Sequence, residues 1–170
     1  MSADSETVPG VEVQGLTKAY GPTLANSDVT FTVAPGTVHA LLGENGAGKS
    51  TTMKLLSGLI RPDSGVIRIH GQQVALNSAR EAHAIGIQTA FQELTLIPDL
   101  TVLDNMLLPR APWTTFGTLN RTRVRREVLQ HFAALELGID LDALASELNL
   151  AIRQKIEIAR ALYRKPSVLL

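Results

Sequence analysis

Between residues 43 and 51 the chain carries side chains, and gaps between side chains, suited to holding phosphate. Gly43, Gly48, Lys49 and Ser50 fit the pattern G-x-x-x-x-G-K-[ST], with Glu44, Asn45, Gly46 and Ala47 filling the loop and Thr51 following it. Glycine is required where a backbone must wrap an anion closely and turn its N–H groups inward. Lys49 would place a point charge on the β and γ phosphates of a nucleotide, and the Ser50 hydroxyl would take one position on Mg²⁺. The chemistry that this run of residues can do is nucleotide binding.

Such a loop works only if a strand leads into it and a helix leads out, because the helix adds the positive end of its dipole. TVHALL, residues 37–42, reads as a short buried strand, and Met53, Leu55, Leu56 and Leu59 give the following stretch a helical apolar stripe. Residues 1–10 read as a flexible lead-in. VEVQGL and DVTFTV then alternate as strands of a half-buried sheet, and APG at 34–36 makes a turn. RPDSG at 61–65 is a second turn, VIRIHG a further strand, and IGIQTAFQE at 85–93 another. From Thr101 the pattern becomes helical. Thr101 and Asp104 have cap spacing, Val124, Val128, Phe132 and Leu135 form a stripe closed by Gly138, and a last helix carries Ile152, Ile156, Ala159 and Tyr163. Pro166 precedes a terminal apolar SVLL. Strands first and helices later predict an α/β core with a helical insertion.

Composition narrows the classes. The 170 residues hold 16 basic and 16 acidic side chains, no cysteine, 45% hydrophobic residues and a mean hydropathy of +0.11. Balanced charge gives no general pull toward nucleic acid or acidic lipid. Without cysteine there is no disulfide, thiol nucleophile or thiolate metal site. The polar MSADSETVPG lacks the features of a signal peptide, and no apolar run reaches the roughly 20 residues of a spanning helix, so the chain is expected to be neither exported nor inserted.

With these residues in view, a resemblance is clear. GENGAGKST, preceded by HALL and followed by MKLLSGLIRPDSGVIRIHG, resembles the ATP-binding subunit of an ABC transporter, and FQELTLIPDLTVLDNM resembles the carbohydrate-importer branch of ribose, galactose and arabinose type. The likeness runs from about Val11 to Leu170. It implies a P-loop NTPase fold of ABC ATPase type, with an antiparallel β subdomain, a helical subdomain at about 93–147 and a core sheet truncated at its C-terminal end. It also implies ATP and Mg²⁺ as cofactors. By the same resemblance Tyr20 stands where the family keeps an aromatic that stacks on adenine, a task needing only a flat π face. Gln92 stands at the glutamine that contacts Mg²⁺ and the attacking water, where an amide can both accept and donate.

Two departures accompany the likeness. The family signature, LSGGQ or LSVGQQQ, aligns with Leu148, Asn149, Leu150, Ala151 and Ile152, a register secured by the similarity of QKIEIARAL to the family's QMVEIAKAL. Asn149 replaces a serine whose hydroxyl bonds phosphate, Ala151 a close-approach glycine, and Ile152 a polar glutamine that would leave an apolar side chain facing phosphate. A weakened signature is the expectation. Second, the family's Asp-Glu pair follows the strand at which this sequence stops, and its switch histidine lies further on. None of His39, His70, His83 or His131 has the context to replace it. The 170 residues are therefore expected to bind ATP but to hydrolyse it very poorly, as the front part of a longer chain with two fused nucleotide-binding domains.

The leading reading is the energy-coupling subunit of a sugar importer, cytoplasmic and peripheral on the inner face of the membrane. Its implied partners are permease subunits, a second nucleotide-binding domain and, indirectly, a solute-binding protein. The permease contact is expected around 93–108. The alternatives are a non-catalytic nucleotide-binding remnant or regulator and a soluble ABC-type ATPase. Arg121, Arg123, Arg125 and Arg126 form a basic cluster better read as a solvated helix face than as a nucleic-acid site. Trp113 reads as the cap of a small local cluster, with a contact to the membrane subunit as the alternative.

Overall fold

A computed structural model describes residues 8–90, 95–108 and 120–170. It divides into two compact units, one formed by Met1–Gln88 with Ser167–Leu170 and the other by Thr89–Pro166.

The first unit is built on a four-stranded antiparallel sheet in the order β2-β1-β3-β4. Its strands are β1 (Val11–Tyr20), β2 (Thr23–Val33), β3 (Ser64–Ile69) and β4 (Gln72–Val74). β1 and β2 form a hairpin through Gly21 and Pro22, paired from Val11↔Val33 to Tyr20↔Thr23 with register shifts between Val13 and Leu16, Leu16 and Lys18, and Lys18 and Ala19. The hairpin is longer than VEVQGL and DVTFTV suggested, since LTKAY and TLANS carry polar residues that pair on a solvated face. β3 and β4 are joined at His70 and Gly71, whose φ values of +49° and +77° suit the tight turn of a hairpin. Alternation packs Val11, Val13, Leu16, Ile67 and Ile69 into one core with Leu55 and Leu56 of α1 (Lys49–Leu56). α2 (Ala79–Ala84) is capped by Ser78, which accepts from the Glu81 N–H at 3.2 Å. Ser-x-x-Glu is a start signal that the sequence reading passed over.

One strand expectation fails here. Residues 37–42 lie outside any strand, and Val38 and Leu42 are 101% and 86% exposed. An apolar central strand persists only when bonded along both edges and covered on both faces. The parallel sheet present, β5 (Ile87–Gln88) with β6 (Val168–Leu169), has two rungs, Ile87↔Val168 and Gln88↔Leu169, too short a ladder to hold a third strand. For the same reason β5 covers only part of the strand expected over 85–93; residues 91–94 lie outside the described set.

The second unit is helical: α3 (Val102–Leu107), α4 (Arg121–Ala134) and α5 (Leu150–Tyr163). Val124, Val128 and Phe132 of α4 pack with Val102, Leu103 and Met106 of α3 and Ile156 and Ala159 of α5. Thr101 caps α3 by accepting from the Asp104 N–H at 3.1 Å, which is the cap spacing read from the sequence. α4 ends before the expected Gly138. Its last turn is closed by Leu135 and Leu137 N–H groups, with Glu136 between them at φ +54°. Asn105, fully buried, stitches the preceding loop: its Oδ1 accepts from the Ile97 N–H at 2.8 Å, and its Nδ2 donates to the carbonyls of Ile97, Leu100 and Thr101.

Candidate functional site

The loop at 43–50 ends on α1, whose N-cap is Gly48 at φ +83°. Gly46 takes φ +89°, so the loop turns through two left-handed residues that place Ala47 between them. Space as well as torsion requires glycine at 48: a Cβ there would lie 2.4 Å from the Ala25 carbonyl oxygen of β2 and 3.2 Å from both polar atoms of the Asn26 side chain. At Gly46 a Cβ would meet nothing within 4 Å, because that face of the loop opens outward. The Ala47 N–H donates to the Glu44 carbonyl at 3.2 Å and closes the loop on itself.

Lys49 folds back across this loop. Its Nζ donates to the carbonyls of Gly43 and Glu44, both at 2.7 Å, which uses two of the three ammonium hydrogens and leaves the third for an incoming oxygen. Neither Glu44 nor any other carboxylate pairs with it among the described residues. The loop is thus a ring of backbone with one cation fixed inside its rim and a helix N-terminus beneath. Ser50, in the first turn of α1, is exposed and its hydroxyl takes no partner among the described residues; Thr51 follows it, half-buried, and Asn45 is exposed in the loop.

Tyr20 closes β1 at the tip of the first hairpin, with 47% of its surface exposed. The Lys18 Nζ stands 5.9 Å from its ring centroid. That end of the hairpin is pinned by Asp63, which accepts from the Lys18 Nζ at 2.7 Å and from the Ala19 N–H at 2.7 Å. These two bonds, the lysine first, hold the Asp63 carboxyl below the usual carboxylate range. Gln92 and Glu93 lie outside the described residues, as does Trp113.

In the second unit, residues 148–152 form the start of α5. Asn149 is the N-cap, its Oδ1 accepting from the Ile152 N–H at 2.9 Å, and the Arg153 Nε donates to the Leu148 carbonyl at 2.8 Å. Ile152 packs on the core of this unit and does not face outward as its place in the motif suggested. The exposed apolar side chain is Leu150, with Ala151 beside it. Further along, the buried Glu157 carboxylate pairs with Arg160 three residues on and accepts from the Thr95 hydroxyl at 2.6 Å, the latter a tie across 62 residues that sequence spacing gives no means of seeing. Three of the four arginines of the basic cluster are paired: Arg121 with Asp104, Arg123 with Glu127 and Arg125 with Asp142. A face neutralised in this way offers little to a polyanion. Burial, then the neighbouring Glu127, raises the Tyr163 phenol above its ordinary range.

Residues 26–170 match the family model described as ABC transporter. Among curated relatives, the chain is 42% identical over 165 residues to a ribose import ATP-binding protein of Rhizobium johnstonii and 45% identical over 161 residues to one of Chromobacterium violaceum. The matches cover 95% and 94% of this chain but 32% of each relative, so the chain spans about a third of their length. A crystal structure of the ADP conformation of MJ1267, an ATP-binding cassette of an ABC transporter, superposes with a TM-score of 0.81 at 24% identity, over 96% of this chain and 68% of that one. A nucleotide-free cassette gives 0.79 at 24%, over 95% and 67%. At that identity the likeness is one of fold: a P-loop NTPase of the ABC ATPase type.

Proposed function

The chain belongs to the ABC transporter family, and from that premise we propose that it is the ATP-binding part of an energy-coupling subunit that drives sugar import. The observation that carries the proposal is the Lys49 ammonium, held by the Gly43 and Glu44 carbonyls inside the phosphate loop with one hydrogen unspent. A cation fixed in place costs no reorganisation when phosphate arrives. The backbone N–H groups of Lys49, Ser50 and Thr51, which have no acceptor within α1, bind the phosphates, the N-terminus of α1 adds its dipole, and Tyr20 supplies a flat surface for adenine at the exposed hairpin tip.

Ser50 fits a Mg²⁺ site: its hydroxyl is a hard oxygen donor, exposed and uncommitted one residue beyond Lys49. Together with Gln92 it would hold that ion, which supplies charge neutralisation between phosphate oxygens. Leu148, Asn149, Leu150, Ala151 and Ile152 are the counterpart of the signature that serves a second nucleotide-binding domain. With Asn149 spent as a cap and Leu150 exposed, this end of α5 makes a weak phosphate contact.

The ribose import function in the names of the relatives supports sugar as the solute, a membrane permease as the partner, a separate solute-binding protein upstream of it and a peripheral place on the membrane. No helix among the described residues is long and apolar enough to cross a membrane. The segment around 93–108, whose part preceding α3 is stitched by Asn105, is the proposed permease contact. The test is ATP-dependent ribose uptake into vesicles carrying the intact protein with its permease. Uptake that Lys49→Ala abolishes is expected; uptake that survives the substitution, or none with the unaltered protein, contradicts the proposal.

A further inference from the structure

Directly beneath the phosphate loop lies a polar side chain that the binding chemistry above does not use. Asn26 of β2 is 4% exposed. Its Nδ2 donates to the Thr52 Oγ1 at 2.8 Å, and the single hydrogen of that hydroxyl goes on to the Gly48 carbonyl at 3.2 Å. In this arrangement Nδ2 faces Thr52, and Oδ1 is buried with no donor among the described residues. Both polar atoms sit 3.2 Å from the point where a Cβ of Gly48 would be, so the amide lies flat against the residue at which loop becomes helix.

A buried acceptor without a donor is costly, and leucine would fill the same volume without it. We propose that Asn26 is a positioning residue for the nucleotide site, whose Oδ1 takes an N–H of the phosphate loop in the nucleotide-bound conformation. The neighbouring backbone is suited to supplying one. Gly46 and Gly48 flank Ala47 at φ +89° and +83°, where peptide groups reorient at little steric cost. On the floor side, Ala25 is the extra residue between the rungs Leu24↔Ala19 and Asn26↔Lys18, so paired neighbours on both sides hold its carbonyl and the Asn26 backbone. Through Thr52, Asn26 secures one side of Gly48; the bond to Oδ1 with nucleotide bound secures the other, and the difference appears as affinity.

This inference rests on ATP binding at Lys49, and the experiment separates the two. ATP affinity and thermal midpoint, with and without MgATP, are compared for the unaltered intact protein, Asn26→Leu and Thr52→Val. Asn26→Leu is expected to leave the midpoint of the empty protein unchanged or higher, weaken ATP about tenfold and shrink the nucleotide-induced rise in midpoint. A residue that only packs would lower the empty midpoint and leave the affinity alone, and that result overturns the inference. Adding Thr52→Val to Asn26→Leu is expected to weaken ATP no further, since the relay is already cut. If Asn26→Leu does not fold, the ¹³Cγ resonance of Asn26 in the unaltered protein decides: a downfield shift on adding MgATP supports a new bond to Oδ1, and an unmoved resonance overturns it. An unaltered protein that binds no ATP removes the functional reading itself, whereas one that binds ATP as tightly as Asn26→Leu does removes only the role of Asn26.

Discussion

Gly46→Ala and Gly48→Ala make the same chemical change two residues apart in one loop, and the structure separates their consequences. Both glycines have φ near +85°, where an L residue costs about 1–2 kcal/mol. At Gly46 that is the whole penalty, because the new methyl meets nothing within 4 Å. At Gly48 the methyl would sit 2.4 Å from the Ala25 carbonyl oxygen, a backbone atom held between the paired residues Leu24 and Asn26 rather than the end of a flexible side chain. Forced overpacking adds about 1–3 kcal/mol, giving about 2–5 kcal/mol for Gly48→Ala. At about 1.4 kcal/mol per factor of ten, the two variants should differ by roughly 5- to 150-fold in the population of the native loop. Chemical denaturation of both variants, with ATP affinity measured on each, reads this difference. Gly46→Ala should fold nearly as well as the unaltered chain and bind ATP moderately less tightly, while Gly48→Ala should be the less stable and lose most of its affinity. Equal losses in the two would refute the claim that β2 forms a rigid floor beneath the loop.

Further expectations concern the supports of the site. Phe132→Ala in the core of the helical unit should cost about 3–5 kcal/mol, read as a drop in the denaturation midpoint. Asn105→Ala orphans several buried backbone groups at about 1–3 kcal/mol each, and amide exchange across 95–101 should quicken well before the rest of α3 is affected. The Asp63 carboxyl is held low by Lys18, so its contribution is complete above the ordinary aspartate range and is lost as pH falls through the lowered value. Lys18→Met should return the Asp63 titration, followed by carboxyl NMR, toward the ordinary range.

How much of this was legible beforehand depended on whether a feature was local. The loop at 43–50 and the start of its helix are legible because Gly43, Gly48, Lys49 and Ser50 lie within eight residues of chain, but the apolar stripe expected through Leu59 overruns α1, which ends at Leu56 and leaves Leu59 exposed. The cap at Thr101 and the stripe Val124, Val128, Phe132 were legible for the same reason. The strand expected at 37–42 was read from apolar content, but a strand depends on neighbours, and content cannot supply a ladder. Gly138 reads as the end of α4 because glycine usually takes the left-handed cap, but here Glu136 does so. Ile152 was placed outward by its motif position, yet helical phase turns it onto the core. The floor of the site was not legible at all, since Asn26 lies 22 residues ahead of Gly48 in the sequence and meets it only through the fold.

The central claim is that Lys49 and the loop around it bind ATP, and calorimetric titration of the intact protein with MgATP tests it most directly. The account predicts saturable binding at the Lys49 site that Lys49→Ala weakens by roughly 30- to 150-fold, as expected from removing a fixed point charge at about 2–3 kcal/mol. Equal affinity in Lys49→Ala, or no heat of binding in the unaltered protein, would contradict it.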